Sequence, residues 1–281
     1  MRIATWNVNS VRTRLPHLRA WLEAERPEVV CLQETKVADP LFPLAPLAEL
    51  GYGAAISGQK AYNGVAILST LPLEDVRLGL EALLPGDGEA RELDGQKRVM
   101  SARIDGVRVL NLYVPNGSAV GSQKYVDKLR WLGCLRRYLG VQEESGEPLC
   151  IVGDFNIALE ARDIHDPGRL TGGIMASDAE RDALRAVLGE RLGDAFRLFE
   201  AEGGHWSWWD YRGGGWETGR GWRIDHIYLD ETLRECATGC EIHQGLRGQP
   251  QPSDHAPVVV RLAWPPDEGA DGEDDDGDSW P

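Results

Sequence analysis

No part of this sequence approaches the roughly 18 consecutive apolar residues that a membrane-spanning helix needs, so no helical membrane protein is expected. The first residues, Met1-Arg2-Ile3-Ala4-Thr5-Trp6-Asn7, enter a strand-like pattern directly and contain no secretory apolar core, which makes a cytoplasmic location the expectation. Cysteine is scarce: Cys31, Cys134, Cys150, Cys236 and Cys240 are odd in number and scattered. Only Cys236 and Cys240 lie close together, and no second pair or histidine completes a zinc set. Cys31 and Cys150 fall inside apolar runs, where a free thiol behaves as a small buried hydrophobe. Positive charge is also in short supply, with 30 Lys and Arg against 45 Asp and Glu, a formal net charge of −15. That excludes attraction of the whole molecule to a polyanion, so any nucleic-acid contact must rest on a local patch and bound cations. Internal repeats and linkers are absent from the first 264 residues.

Part of the acidity is local. Residues 265–281 carry eight of the acids and no Lys or Arg, and what precedes them still has 37 acids against 30 bases. The composition breaks at Trp264-Pro265-Pro266. Beyond it the Asp/Glu/Gly tail cannot bury enough apolar surface to offset its ordering entropy. The expected organisation is one core, residues 1–264, and a disordered acidic tail, residues 265–281. With 42% hydrophobic residues, the chain is long enough for a large core.

Segments 2–8, 28–33, 64–70, 107–114, 148–152, 224–229 and 257–262 are short runs rich in Val, Ile and Leu, bounded by turn or polar residues, and read as buried strands. Helical periodicity lies between them. In 12–25, Leu15, Leu18, Trp21 and Leu22 share a face. In 122–140, Ser122 caps a helix carrying Tyr125, Leu129, Leu132 and Leu135. In 177–188, Ser177-Asp178-Ala179-Glu180 forms a capping box ahead of Leu184 and Leu188. Strands alternating with helices predict sheets covered by helices.

Six strand ends carry polar residues that a plain core does not need. These are Trp6-Asn7-Val8-Asn9, Gln33-Glu34-Thr35-Lys36, Tyr113-Val114-Pro115-Asn116, Gly153-Asp154-Phe155-Asn156, Arg223-Ile224-Asp225-His226 and Ser253-Asp254-His255-Ala256-Pro257. Each alone is ordinary turn chemistry, since Asp and Asn favour turns. Six together, in a sheet protein whose ligands gather at strand ends, point to one site built from oxygen ligands, an acid–base pair and donors. Residue types alone would also allow a serine hydrolase formed by Ser253, His255 and Asp225, but the lack of a Gly-x-Ser-x-Gly elbow and the closeness of Ser253 to His255 in sequence argue against it.

Those motifs, with Ser207-Trp208-Trp209-Asp210-Tyr211-Arg212 and Gly221-Trp222-Arg223-Ile224-Asp225, resemble in order the exonuclease III and AP endonuclease family, within the endonuclease/exonuclease/phosphatase superfamily, over about residues 1–263. The resemblance implies an α/β four-layer sandwich: two mixed β-sheets packed face to face, with helices outside. It implies a metal-dependent phosphodiesterase that cuts double-stranded DNA on the 5′ side of abasic sites and trims blocked 3′ ends, working as a monomer away from membranes. Glu34, with Asn7 and Asp254, would hold Mg²⁺, for which Mn²⁺ could substitute; a hard oxygen donor suits either. Asn9 would help position the ion through water. Asp154 would activate water. Asn156, Asn116, Tyr113 and the His255–Asp225 pair would serve the phosphate, and each such donor is worth ~3 kcal/mol in the transition state.

Ten tryptophans are present, and Trp206, Trp208, Trp209 and Trp222 cluster near Asp225. Core packing is the simplest reading of Trp206. By resemblance, Trp208 and Trp222 form a tight pocket that admits an extruded abasic sugar and excludes a normal nucleotide. Arg12, Lys36, Lys124 and Arg212 are the candidate phosphate contacts, and Lys60 is a weaker one. Two segments depart from the family pattern: 86–98 is long and acidic, and 117–123 has no Lys or Arg. Three alternatives stand beside this reading: a phosphatase or nonspecific nuclease of the same fold, a relative that incises beside uracil, and a non-catalytic DNA-binding scaffold. The scaffold predicts a lost ligand, whereas Glu34, Asp154, Asn156, Asp225 and His255 are all present.

Overall fold

The computed structural model describes residues 1–266. The expected acidic tail therefore lies outside the described residues, apart from Pro265 and Pro266.

Among the described residues twelve strands form two six-stranded sheets. They are β1 (Arg2–Asn7), β2 (Val29–Gln33), β3 (Gly53–Ser57), β4 (Val65–Ser69), β5 (Glu74–Leu78) and β6 (Val99–Ile104), then β7 (Val107–Tyr113), β8 (Leu149–Asp154), β9 (Gly193–Asp194), β10 (Asp225–Leu229), β11 (Ala237–Ile242) and β12 (Val258–Leu262). The first sheet runs β11-β12-β1-β2-β4-β3 and the second β5-β6-β7-β8-β10-β9. Each is mixed: β1 pairs parallel with β2, β7 pairs parallel with β8, and the flanking strands are antiparallel. The helices are α1 (Val11–Glu25), α2 (Leu44–Ala48), α3 (Gly79–Leu83), α4 (Gly88–Leu93), α5 (Gln123–Glu143), α6 (Pro167–Leu170), α7 (Asp178–Leu188) and α8 (Glu231–Glu235). Among the described residues no helix is long and apolar enough to cross a membrane.

Side-chain alternation along the strands builds the layers. In β1, Ile3 faces the other sheet, where it joins Val29, Cys31 and Ile67 against Met100, Val109, Cys150, Val152 and Ile227. Its neighbours Ala4 and Trp6 face outward, onto Leu18, Trp21 and Leu22 of α1. In the second sheet Leu110, Leu112 and Ile151 face outward onto Trp131, Leu132, Leu135 and Tyr138 of α5 and Leu184 and Leu188 of α7. The result is the four-layer α/β sandwich with two mixed sheets face to face that the resemblance implied.

The three expected helices form. Ser122 accepts the Tyr125 N–H as the cap of α5, and Ser177 with Glu180 makes the capping box of α7. Leu15 and Leu129 are only half-buried, so the apolar stripes are one position narrower than expected. Segment 86–98 is not a loose loop: Asp87 caps α4, and Asp94 accepts the backbone N–H groups of Leu80 and Glu81. All five cysteines are free.

Candidate active site

The register of the sheets brings the polar strand ends together. Asn7 lies opposite Gln33 at the ends of the parallel pair β1–β2. In the other sheet Tyr113, Asp154 and Asp225 lie side by side across β7, β8 and β10. β10 and β12 run antiparallel to these strands, so Asp225 starts β10 and His255 precedes β12 at the same edge of the sandwich.

A hydrogen-bonded chain from Glu34 through Asn7 to Asp154 crosses the gap between the sheets. The Asn7 amide donates to Glu34 Oε1 at 3.0 Å and to Asp154 Oδ2 at 2.9 Å. The Tyr113 hydroxyl donates to the same Glu34 oxygen at 2.8 Å, and Lys36 Nζ lies 2.6 Å from Glu34 Oε2. On the far side His255 Nε2 is 3.8 Å from Asp154 Oδ2. His255 Nδ1 is 2.9 Å from Asp225 Oδ2, which also accepts the Ser207 hydroxyl at 2.7 Å. The Asn156 backbone N–H donates to Asp154 Oδ1 at 2.9 Å, and the Asn116 amide donates to Asn156 Oδ1 at 3.0 Å. Glu34 and Asn156 both have left-handed backbone, with φ of 51° and 50°. Non-glycine residues persist there when their surroundings over-determine them, which is common at functional sites.

The electrostatics divide the groups by role. Burial works to neutralise Glu34, but Lys36, Asn7 and Tyr113 keep its carboxyl below the ordinary carboxylate range. Burial pushes Asp154 up to about 7; the nearby Asp225 and Glu34 charges add to this, while His255 and Asn7 oppose it. Burial opposes charge on His255 too, yet Asp225 and Asp154 push it up to about 10, so it is an imidazolium at neutral pH. Burial and the Glu34 and Asp154 carboxylates raise Tyr113 well above the ordinary phenol value, leaving it a hydrogen-bond donor. The guanidinium of Arg98 sits 4.4 Å over the Tyr113 ring.

Glu34, Asp154, Asp225 and Asp254 converge here, and a cluster of carboxylates of this kind fits a metal cation. Ligand atoms of Asp154, Asp225 and His255 lie within 4.8 Å of one another, the spacing of a metal cluster. His255 is a poor ligand, because its Nδ1 is engaged by Asp225 and the ring is protonated. Glu34 is better placed, since its carboxylate stays ionised and partly exposed.

Asp254 accepts from the Asn9 amide at 2.8 Å and from Trp208 Nε1 at 3.0 Å, so the aromatic cluster joins the acidic centre directly. Trp208 and Trp222 form mutual backbone bridges and line one side of a cavity of about 530 Å³. Leu170, Ile174 and Met175 also line it, as do the exposed Arg169, Arg212 and Arg220. Trp208 and Trp222, the expected sugar-pocket residues, thus both line this cavity. Trp206 corrects another expectation: it is only half-buried and covers Gly221, while Trp209 and Trp222 are the buried tryptophans of the cluster.

The basic candidates divide. Lys36 is held inside the site by Glu34 and Asn9. Arg212 stands at the cavity rim with its side chain 91% exposed. Lys124 is exposed beside a second cleft that also includes Asn116 and Arg98. Arg12 and Lys60 are exposed. Sequence reasoning missed Ser207, which buttresses Asp225, as well as Arg98 and the buried Lys128. Ser207 opens a motif next to Trp208, which was the available signal; a lysine within a helix gives none.

Residues 4–255 match the endonuclease/exonuclease/phosphatase family. Exodeoxyribonuclease III of Haemophilus influenzae is 34% identical over 270 residues, covering 92% of this chain and 98% of that protein. The solved structure of a 3′-5′ exonuclease from Neisseria meningitidis superposes with a TM-score of 0.88 at 37% identity, covering 94% of this chain and 100% of the other. An AP endonuclease from Archaeoglobus fulgidus gives 0.87 at 35% identity, covering 94% and 99%.

Proposed function

The chain belongs to the exonuclease III and AP endonuclease branch of the endonuclease/exonuclease/phosphatase family and is a hydrolytic DNA-repair nuclease; from that premise we propose that it incises double-stranded DNA 5′ to abasic sites with Mg²⁺ and trims blocked 3′ ends. One observation carries this reading. The chain of groups Glu34–Asn7–Asp154–His255–Asp225 lies beside the Trp208/Trp222 cleft and is joined to it through Asp254.

In this reading the scissile phosphate sits between His255, Asn156, Asn116 and Tyr113, whose donors take up charge on its oxygens. Asp154 accepts a proton from water as the water oxygen bonds to phosphorus in line with the bond that breaks. Burial makes Asp154 a stronger base than an ordinary carboxylate, which suits that task near neutral pH. The P–O3′ bond breaks and the leaving oxygen takes up a proton from solvent, giving a 3′-hydroxyl and a 5′-phosphate on the abasic side. A divalent cation held by Glu34, with Asn7 and Asp254 nearby, would supply a Lewis acid for the developing oxyanion charge. Trp208 and Trp222 receive the extruded sugar, while Arg12, Lys36, Lys124 and Arg212 meet backbone phosphates. Residues 1–264 act as the catalytic domain of a monomeric, cytoplasmic enzyme, and Mn²⁺ substitutes for Mg²⁺.

The size of the cleft favours a second reading. About 530 Å³ leaves room for a base as well as a sugar, which suits 3′-end digestion or incision beside uracil. Labelled duplexes carrying one tetrahydrofuran site, one uracil or no lesion, each with Mg²⁺ or EDTA, separate the two. Metal-dependent cutting at tetrahydrofuran alone supports abasic incision. Digestion from 3′ ends with the lesion intact, or cutting at uracil, replaces it with the second reading.

A further inference from the structure

Lys128 lies in the second turn of α5, on its buried face, and its side chain is 0% exposed. Its ammonium donates to three acceptors: Glu180 Oε1 at 2.5 Å, the Asn156 carbonyl at 2.8 Å and the Asn116 carbonyl at 3.3 Å. Three acceptors match the three hydrogens of a charged amine, whereas a neutral amine would leave one unserved. Two of them are the backbone carbonyls of the residues whose side chains meet the phosphate in the reading above. We propose that Lys128, anchored by Glu180, is a positioning residue that fixes the Asn116 and Asn156 loops in their phosphate-binding geometry.

Asn156 makes the case most sharply. Its left-handed backbone is held at both ends: its N–H by Asp154 and its carbonyl by Lys128. Its amide nitrogen also donates to Val114 O at 3.0 Å, so its Oδ1 is aimed at the Asn116 amide. The stem of Lys128 supports the neighbouring turn from below. Gly117 has φ 89°, and a Cβ there would meet Lys128 Cδ at 3.2 Å. Glu180 extends the linkage to the cleft: besides Lys128 it accepts the Met175 and Ser177 backbone N–H groups, and Met175 lines the cleft wall. One buried ion pair therefore ties the phosphate loops to the sugar cleft.

This inference rests on the proposed phosphodiesterase reading for its consequence, but not for its geometry. Lys128→Met alone strands Glu180 as a buried unpaired charge and is expected to misfold. The informative variant is Lys128→Met with Glu180→Gln, which removes both charges, keeps the volume filled and leaves an amide oxygen for the backbone N–H groups that Glu180 accepts. We expect a melting temperature near wild type, a KM for abasic duplex within about threefold, and a kcat at least tenfold lower, because small misplacements of reacting groups cost on this scale. A folded double variant with wild-type kcat overturns the proposal, since the pair is then only structural. Its crystal structure reads the same claim without turnover. Loss of the left-handed Asn156 or of its Asn116 contact supports positioning, and unchanged loops refute it. If the wild-type enzyme cuts no abasic duplex, the functional reading fails while the crystal structure still decides this one.

Discussion

Replacing Asp225 with asparagine keeps the volume of a fully buried side chain while removing the charge that faces His255 at 2.9 Å and 3.1 Å. Asp225 and Asp154 together push His255 from its ordinary 6.5 up to about 10 against the opposing effect of burial. That shift corresponds to a preference for the imidazolium of roughly 5 kcal/mol, at about 1.4 kcal/mol per pH unit. Asp225 is nearer than Asp154, at 3.8 Å, so its removal should forfeit on the order of half, about 2–3 kcal/mol. That is a fall of about two pH units, so without its partner His255 loses its proton as pH rises through about 8 rather than about 10. If the imidazolium serves the phosphate, kcat is nearly kept below pH 7 and falls about tenfold relative to wild type by pH 9. The assay is kcat on a tetrahydrofuran duplex from pH 5.5 to 9. Asp225→Asn should be least impaired at the acid end and fall steeply between about pH 8 and 9, where the wild-type histidine is still mostly charged. Full activity, or a loss with an unchanged pH profile, would refute the assignment of His255 as a charged phosphate donor.

Trp208→Ala removes one cleft wall and a hydrogen bond to Asp254; it should raise KM for abasic duplex on the order of tenfold and narrow its preference over undamaged DNA, read from paired steady-state assays. Equal discrimination would remove Trp208 from substrate choice. Gly153→Ala would place a Cβ 1.9 Å from the Leu112 carbonyl at φ 150°, disturbing the β7–β8 pairing beside Asp154. Urea unfolding should register a loss of about 3 kcal/mol or more, and a neutral result would contradict the close approach. His226 is buried and uncharged, its pKa lowered by burial and by Arg223. Since the unfolded chain binds the proton more readily, the contribution of His226 is complete above about pH 6.5 and is lost as pH falls from there toward the folded value. His226→Phe should flatten that acid slope, at most ~1.4 kcal/mol per pH unit, in melts from pH 5 to 8; an unchanged slope assigns it elsewhere.

The strands that end in the site were legible because they lie central in their sheets and read as continuous apolar runs. β3, β5 and β11 were missed for the opposite reason. β3 and β11 are edge strands built of Gly-Ala-Ala-Ile-Ser and Ala-Thr-Gly-Cys-Glu-Ile, and β5 is an exposed edge of Glu-Asp-Val-Arg-Leu. In β6, Ser101 and Arg103 break the apolar run although the strand is central; β9 is too short to leave a pattern. The site was legible at its strand ends, where a polar residue after an apolar run is conspicuous. What escaped were residues whose roles depend on distant partners. Lys128 lies in a helix, where a lysine defaults to solvent, and only tertiary packing against Glu180 and the two asparagine loops reveals it. The breadth of the cleft was equally invisible, since Leu170, Ile174 and Met175 are not near the tryptophans in sequence.

The central claim, that this convergence of strand ends hydrolyses the DNA backbone with Asp154 as its base, is tested most directly by Asp154→Asn. Single-turnover incision of an abasic duplex with Mg²⁺ would be measured beside equilibrium binding of the same duplex. The account predicts that incision nearly vanishes while affinity is unchanged or tighter, because a buried carboxylate facing the phosphate is removed. Substantial residual incision with binding intact would contradict it, and the proton of the attacking water would then have to go to another group.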